Sequence, residues 1–175
     1  DAVKMICTTS CTWGLTTLMI TNLVRTVGRR HGDGHYAFPT PHALANLTES
    51  FLRRKIKAGY RSPYLIELAR RVAAGTLDIE SWRTSTLPTA DLFNEMRTVK
   101  GIGPYVAGNL LKLAGRYDEL ALDSWVRAKY CELRRNGRRV SDASIKRDYD
   151  PYGSWRGLLF WLEMTREWHQ EKFPV

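Results

Sequence analysis

"VKGIGPYVAGNLLKLAGRYDELALDSWVRAKY", residues Val99 to Tyr130, sets two glycines around one isoleucine and follows them at once with proline. Twenty residues past Gly103 an aspartate, Asp123, precedes a second helical pattern. Pro104 suits the first turn of a helix, where a missing N–H costs nothing. Ala107, Leu110, Leu111 and Ala114 then share one face, and Gly115 ends the run. Gly101 and Gly103 are read as residues that take backbone angles closed to others and let another backbone come close. The free N–H groups and dipole at the start of the Pro104 helix form an anion site, with Lys100 beside it. The same pattern also suits an ordinary tight turn between two helices.

Helices continue outward from this hairpin. Residues 12–27 read as helical despite many threonines, and the chain opens inside a helix. Thr48 can cap a helix carrying Phe51, Leu52 and Ile56 and ended by Gly59. Ser62-Pro63 reads as N-cap and first helical residue, with Leu65, Leu68, Ala69, Val72 and Ala73 facing inward up to Gly75. Thr89 can cap the next helix, with Leu92, Phe93 and Met96. The helix after Asp123 carries Val126, Tyr130 and Leu133 and stops at Asn136-Gly137. The last, after Pro151, puts Trp155, Leu158, Leu159 and Leu162 on one stripe. "GRRHGDGHYA" (28–37) is a polar, glycine-rich loop expected to be mobile, with His31 and His35 solvated. No strand alternation or repeat interrupts the series, so the fold class is all-α.

The chain has 175 residues, enough for one domain with a real core, and a net charge of +9. With a pI near 9.7, such a surface attracts polyanions, nucleic acid first among them. There is no apolar run long enough to span a membrane. Cys7, Cys11 and Cys131 are an odd set, read as reduced thiols in an intracellular protein, cytoplasmic or nucleoid-associated in a prokaryote. Cys7 and Cys11 lack a second metal-ligating pair and read as small packing residues. With no four-cysteine cluster, no iron–sulfur centre is expected. The start "DAVKMICTTSCTW" has neither initiator Met nor signal-peptide features, so a segment N-terminal to it is expected.

The central stretch resembles the helix-hairpin-helix (HhH-GPD) DNA glycosylase superfamily, nearest to its 3-methyladenine and 8-oxoguanine branches. The superfamily pattern is L-P-G-[VI]-G-x-x-[TV]-A, then some twenty residues on V-D-x-x-[VI]. This chain has Val99-Lys100-Gly101-Ile102-Gly103-Pro104-Tyr105-Val106-Ala107, then Leu122-Asp123-Ser124-Trp125-Val126. "ICTTSCTWGLTTLM", "FPTPHALANLTES…GYRSPYLIELARRVAAG" and "YDPYGSWRGLLFWLEMTREW" are similar to further segments of these enzymes. The resemblance implies one glycosylase domain over 1–175, with the hairpin at about 89–115 and a cleft between two helical lobes. Residues 1–27 and 124–175 are expected to form one lobe and 38–122 the other. The β-domain that precedes this point in many relatives has no counterpart in the chain.

The resemblance also implies roles. Asp123 would stabilise positive charge on the sugar as a flipped-out base leaves and would direct water; from position alone it is also a plain N-cap. Lys100, Gly101, Ile102, Gly103, Tyr105 and Val106 would hold the DNA backbone. Bifunctional relatives carry a lysine where this chain has Tyr105, and Lys100 and Lys112 do not match that position. A monofunctional glycosylase of base excision repair is therefore expected, releasing a damaged purine, alkylated or oxidised, from double-stranded DNA. The alternatives are a non-catalytic DNA-binding module and a bifunctional glycosylase/lyase. Ser10, Tyr60 and Arg61 match residues that wedge the duplex or read the estranged base. Trp13, Tyr105, Trp125, Trp155 and also Trp161 are candidates for a base-stacking pocket, a composition that leans towards cationic alkylated purines. The carbonyls of Arg97, Val99 and Ile102 could hold Na+ or K+, and no other cofactor is expected. The protein is expected to act as a monomer.

Overall fold

The computed structural model describes residues 1–169. Its α-helices run in order: α1 (Ala2–Cys7), α2 (Trp13–Val27), α3 (Pro41–Ala45), α4 (Glu49–Phe51), α5 (Ser62–Ala73), α6 (Thr89–Arg97), α7 (Pro104–Leu113), α8 (Ser124–Arg135), α9 (Asp142–Tyr149) and α10 (Arg156–Met164). The all-α reading holds: among the described residues the one ladder contact is an isolated bridge from Arg30 to Tyr36.

Side-chain caps start several helices. The hydroxyls of Thr12, Thr40, Thr48 and Ser141 accept N–H groups three residues on, at 3.2–3.3 Å. Two expected caps do other work. Ser62 lies inside α5, after a short 3₁₀ turn, and donates its hydroxyl to the Gly59 carbonyl at 2.8 Å. Thr89 is the first residue of α6, and its hydroxyl accepts the Arg116 guanidinium at 3.4 Å. Helices α3 and α9 were not expected, because one is a single short turn and the other is mostly polar. The 28–37 loop is closed by its own backbone: the His31 N–H donates to His35 at 2.7 Å, and the Ala37 N–H to Arg29 at 3.0 Å. On α10 the buried face is Gly157, Phe160 and Met164, whereas Trp155 and Leu162 are exposed.

Apolar burial divides the chain into two cores. The larger joins Ile6, Met19 and Leu23 to Leu52, Ile56, Leu65, Leu92, Met96, Val106 and Leu111. The smaller is built from Leu120, Val126, Tyr130, Ile145, Tyr149, Phe160 and Met164. This corrects the expected lobe division. Helices α1 and α2 pack with the middle of the chain, because the inward face of α1 (Ala2, Ile6, Cys7) meets α7. The segment 114–123 joins the two cores. It is pinned to the second by the Gly157 N–H donating to Tyr117 at 2.6 Å and by Arg156 Nε donating to Asp118 at 2.6 Å.

Candidate functional site

The hairpin turn is fixed from within. Val99 and Ile102 are buried, so the turn hangs from the core while its backbone faces out. Gly101 has φ 88°, and a Cβ there would lie 2.9 Å from Tyr64 Cβ, so the position needs glycine on both counts. Gly103 differs from the sequence expectation: its φ of −84° is open to any residue. A Cβ on Gly103 would meet nothing within 4 Å, so what glycine leaves there is open space in front of α7. The first intrahelical bond of α7 runs from the Ala107 N–H to the Gly103 carbonyl, so the N–H groups of Tyr105 and Val106 precede it and point forward. Ile102 and Val106 side chains are buried, so only their backbones can meet a ligand. Lys100 lies at the turn in an exposed ion pair with Glu67 at 2.9 Å.

Asp123 is brought to α7 by a missing side chain. At Gly108 a Cβ would sit 2.9 Å from Ala121 Cβ, so only glycine lets the 120–123 segment lie against the helix. Ala121 itself has φ 55°, a costly conformation for a residue with a Cβ, two positions before the aspartate. Asp123 then caps α8, its Oδ1 accepting the Val126 N–H at 2.8 Å, and is half-buried.

Asp123 acts electrostatically on three side chains. Burial raises the Tyr105 phenol above its ordinary value, and the Asp123 charge adds to this; Thr8 is its hydrogen-bonding partner. Burial pulls the Lys112 ammonium down to about 8, against the opposing pull of Asp123. Arg127, one turn into α8, also feels Asp123 but is held by Asp142 at 2.7 and 2.8 Å. Trp161 of α10 lies over the Lys112 amine, 4.9 Å from Nζ to ring centroid. Trp168 packs edge-on to Trp161 and stacks on Trp125 at 5.1 Å. Tyr105 and Lys112 from α7, Asp123 from the start of α8, and an aromatic wall from α8, α10 and beyond thus form one constellation.

The other expected residues sort themselves. Trp13 lies under the Lys4 amine, and Trp155 stacks on Tyr117 at 5.6 Å; no ring contact joins either to the Asp123 group among the described residues. Ser10, with φ 46°, sits at a loop tip next to Thr9, whose hydroxyl meets the exposed Tyr60 hydroxyl at 2.9 Å. Arg61 is 3% exposed, and its guanidinium is spent on the Thr9 hydroxyl and carbonyl and on Ala58. It therefore holds the Ser10 loop beside Tyr60 and is not free to read a base. Sequence reasoning misses Gly108 and weighs Lys112 only as a lysine that does not match the lyase position. The signal for Lys112 was there: it follows Tyr105 by two helical turns and shares its face.

No family model matches the chain. A curated protein of Bacillus subtilis (strain 168), YfjP, provisionally named a DNA-3-methyladenine glycosylase, is 25% identical over 74% of this chain and 46% of its own length. The Clostridium acetobutylicum 8-oxoguanine glycosylase/lyase, solved with double-stranded DNA carrying cytosine opposite 8-oxoguanine, superposes with a TM-score of 0.79 at 24% identity. That match covers 96% of this chain and 59% of the other. The Archaeoglobus fulgidus 3-methyladenine DNA glycosylase gives 0.72 at 20% identity, over 96% and 58%. The chain therefore has the fold of the 8-oxoguanine and 3-methyladenine glycosylases and spans about half to three fifths of the length of these relatives.

Proposed function

We propose that this chain is the excision domain of a monofunctional DNA glycosylase that removes a damaged purine from duplex DNA. The observation that carries the reading is the position of Asp123, half-buried at the start of α8 and facing the helix that follows the hairpin turn. The relatives of like fold support the glycosylase part of it, and the lack of a lysine at Tyr105 supports the monofunctional part.

The forward N–H groups of Tyr105 and Val106, with Lys100, would receive a phosphate of the damaged strand. That phosphate would displace the exposed Glu67 from Lys100, a weak pair to break. The glycosidic carbon is out of reach within the stack, so the nucleotide must swing out of the duplex towards α7 and α10. Tyr60, bonded to Thr9, and the neighbouring Ser10 would fill the gap. As the base departs, positive charge grows on the sugar. A fixed carboxylate stabilises that charge, and its free oxygen can orient water for attack. Tyr105, kept neutral by burial and by the Asp123 charge, supplies no amine for a covalent sugar adduct. The carbonyls of Arg97, Val99 and Ile102 would hold a monovalent cation that stiffens the turn. The Val99 carbonyl accepts the Ile102 N–H at 3.0 Å and retains a second lone pair for such an ion.

The test is base release from duplexes carrying 8-oxoguanine, hypoxanthine, alkylated purines or uracil, with and without later alkali. Asparagine caps a helix as well as aspartate does, so Asp123→Asn keeps α8 and removes the charge. Breaks that need alkali, and fall by about 10²- to 10⁴-fold in Asp123→Asn with DNA binding intact, are the expected result. Release from none of these lesions, with DNA binding unchanged in both proteins, would leave a binding module instead.

A further inference from the structure

Lys112 is at odds with its surroundings. Its Nζ is fully buried and has no hydrogen-bond partner, which Lys112 alone shows among the described buried side chains. The amine sits over the face of Trp161, and Asp123 acts on it from beyond ion-pair distance. A buried ammonium with three unmet donors is costly, and a core would ordinarily replace it with leucine or methionine. Lys112 lies in the last turn of α7, where the helix dipole favours a cation, one position before the exposed Leu113. Its amine turns from α7 onto Trp161 of α10, within reach of the charge of Asp123, the residue towards which a base would swing.

We infer that Lys112 is the polar anchor for the everted base. Its amine donates to an acceptor oxygen on the base edge, so that the site selects neutral, carbonyl-bearing purine lesions and rejects cationic ones. This rests on the glycosylase reading above and narrows its substrate class. At neutral pH the amine is still charged, since burial brings it only to about 8. The face of Trp161 that would attract a methylated purine cation is thus already taken by the protein's own cation. A second positive charge in that desolvated space would be repelled. A carbonyl oxygen would instead supply the missing hydrogen bond, one between a charged donor and a neutral acceptor. The tryptophan content that leans towards alkylated purines in the sequence therefore points the other way once Lys112 is in place.

The experiment compares wild type with Lys112→Met, which keeps the length of the stem and removes the donors and charge. Initial rates are measured on duplexes carrying 8-oxoguanine or hypoxanthine, and for 3-methyladenine released from DNA treated with dimethyl sulfate. Binding is measured in parallel to duplexes whose 8-oxoguanine or hypoxanthine nucleotide carries 2′-fluorine and resists cleavage. The expected result is a loss of about 10- to 100-fold in rate and affinity for the carbonyl-bearing lesions, with 3-methyladenine release unchanged or increased. Equal loss on both classes, or no change in their ratio, overturns the assignment. So does a borohydride-trapped protein–DNA adduct that vanishes in Lys112→Met, which would make the amine a nucleophile. If wild type releases no base from any substrate, the glycosylase reading itself has failed, an outcome distinct from an unchanged ratio.

Discussion

The two cores of this protein are held by different physics. The first, from Ile6 to Leu111, is an aliphatic interior in which Leu23, Leu52, Ile56, Leu92, Met96 and Leu111 are almost wholly buried. The second is smaller and aromatic, with Phe160 edge-on to Tyr149 at 5.2 Å, and it is wrapped in ionic hydrogen bonds. Arg134 donates twice to Glu163, at 2.6 and 2.9 Å, and Glu163 also accepts the Tyr149 hydroxyl at 2.6 Å. Asp148 accepts from both Tyr130 and Arg135. Lys129 pairs with Glu167 at 3.0 Å. A large apolar core needs no such girdle, whereas a small one buries too little surface to do without it. The division also separates tasks. The hairpin turn hangs from the apolar core, and Asp123 opens the charged one.

This contrast can be broken at its centre by Phe160→Ala. Phe160 is 0% exposed, and its truncation should cost about 3–5 kcal/mol. The expected outcome is loss of amide-exchange protection in α8–α10 while α5–α7 stay protected. Simultaneous loss in both regions would mean that the cores fold as one unit.

Acid should sharpen the same contrast. Burial works to raise the Glu163 carboxyl, but its hydrogen bonds from Arg134 and Tyr149 outweigh that and hold it below its ordinary 4.5. Asp142 is likewise held low by its hydrogen bonds from Arg127. A carboxyl with a depressed folded value contributes stability that is present above the unfolded value and is lost as pH falls through the folded one. The second core should therefore loosen below about pH 4.5 before the first does, followed by amide exchange. Glu163→Gln should reproduce this at neutral pH, at about 1–3 kcal/mol.

The smallest effect belongs to the turn. Lys100→Ala breaks only an exposed pair with Glu67, so its melting free energy should change by less than about 0.5 kcal/mol. Its DNA affinity should fall alike on every sequence, with the salt dependence shallower by about one phosphate contact. A large loss of stability would show that the turn supports its core as well as facing outward.

Much of this was legible in the chain because it is local. Pro104, Gly101, the Asp123 cap and the Asn136-Gly137 stop act within a few residues of themselves, and the structure places each as read: Asn136 ends α8 at φ 48°. Caps that looked equally local failed where a distant group competed, as Arg116 does at Thr89. The α10 stripe failed because spacing shows that a helix has an apolar face, but with tryptophan and leucine on several sides it does not show which face is covered.

The candidate site divides along the same line. An all-helical chain, the glycine turn before α7 and an aspartate at the head of α8 can all be read from the residues alone, since each is set by backbone angles and neighbouring hydrogen bonds. It takes the packed chain to reveal that Gly108 lets Ala121 and Asp123 close on α7, that Arg61 is engaged by Thr9, and that Lys112 lies without a hydrogen bond beneath Trp161. Those facts depend on which surfaces meet across the two cores, and burial, unlike a helix cap, is a property that no short stretch of sequence carries alone.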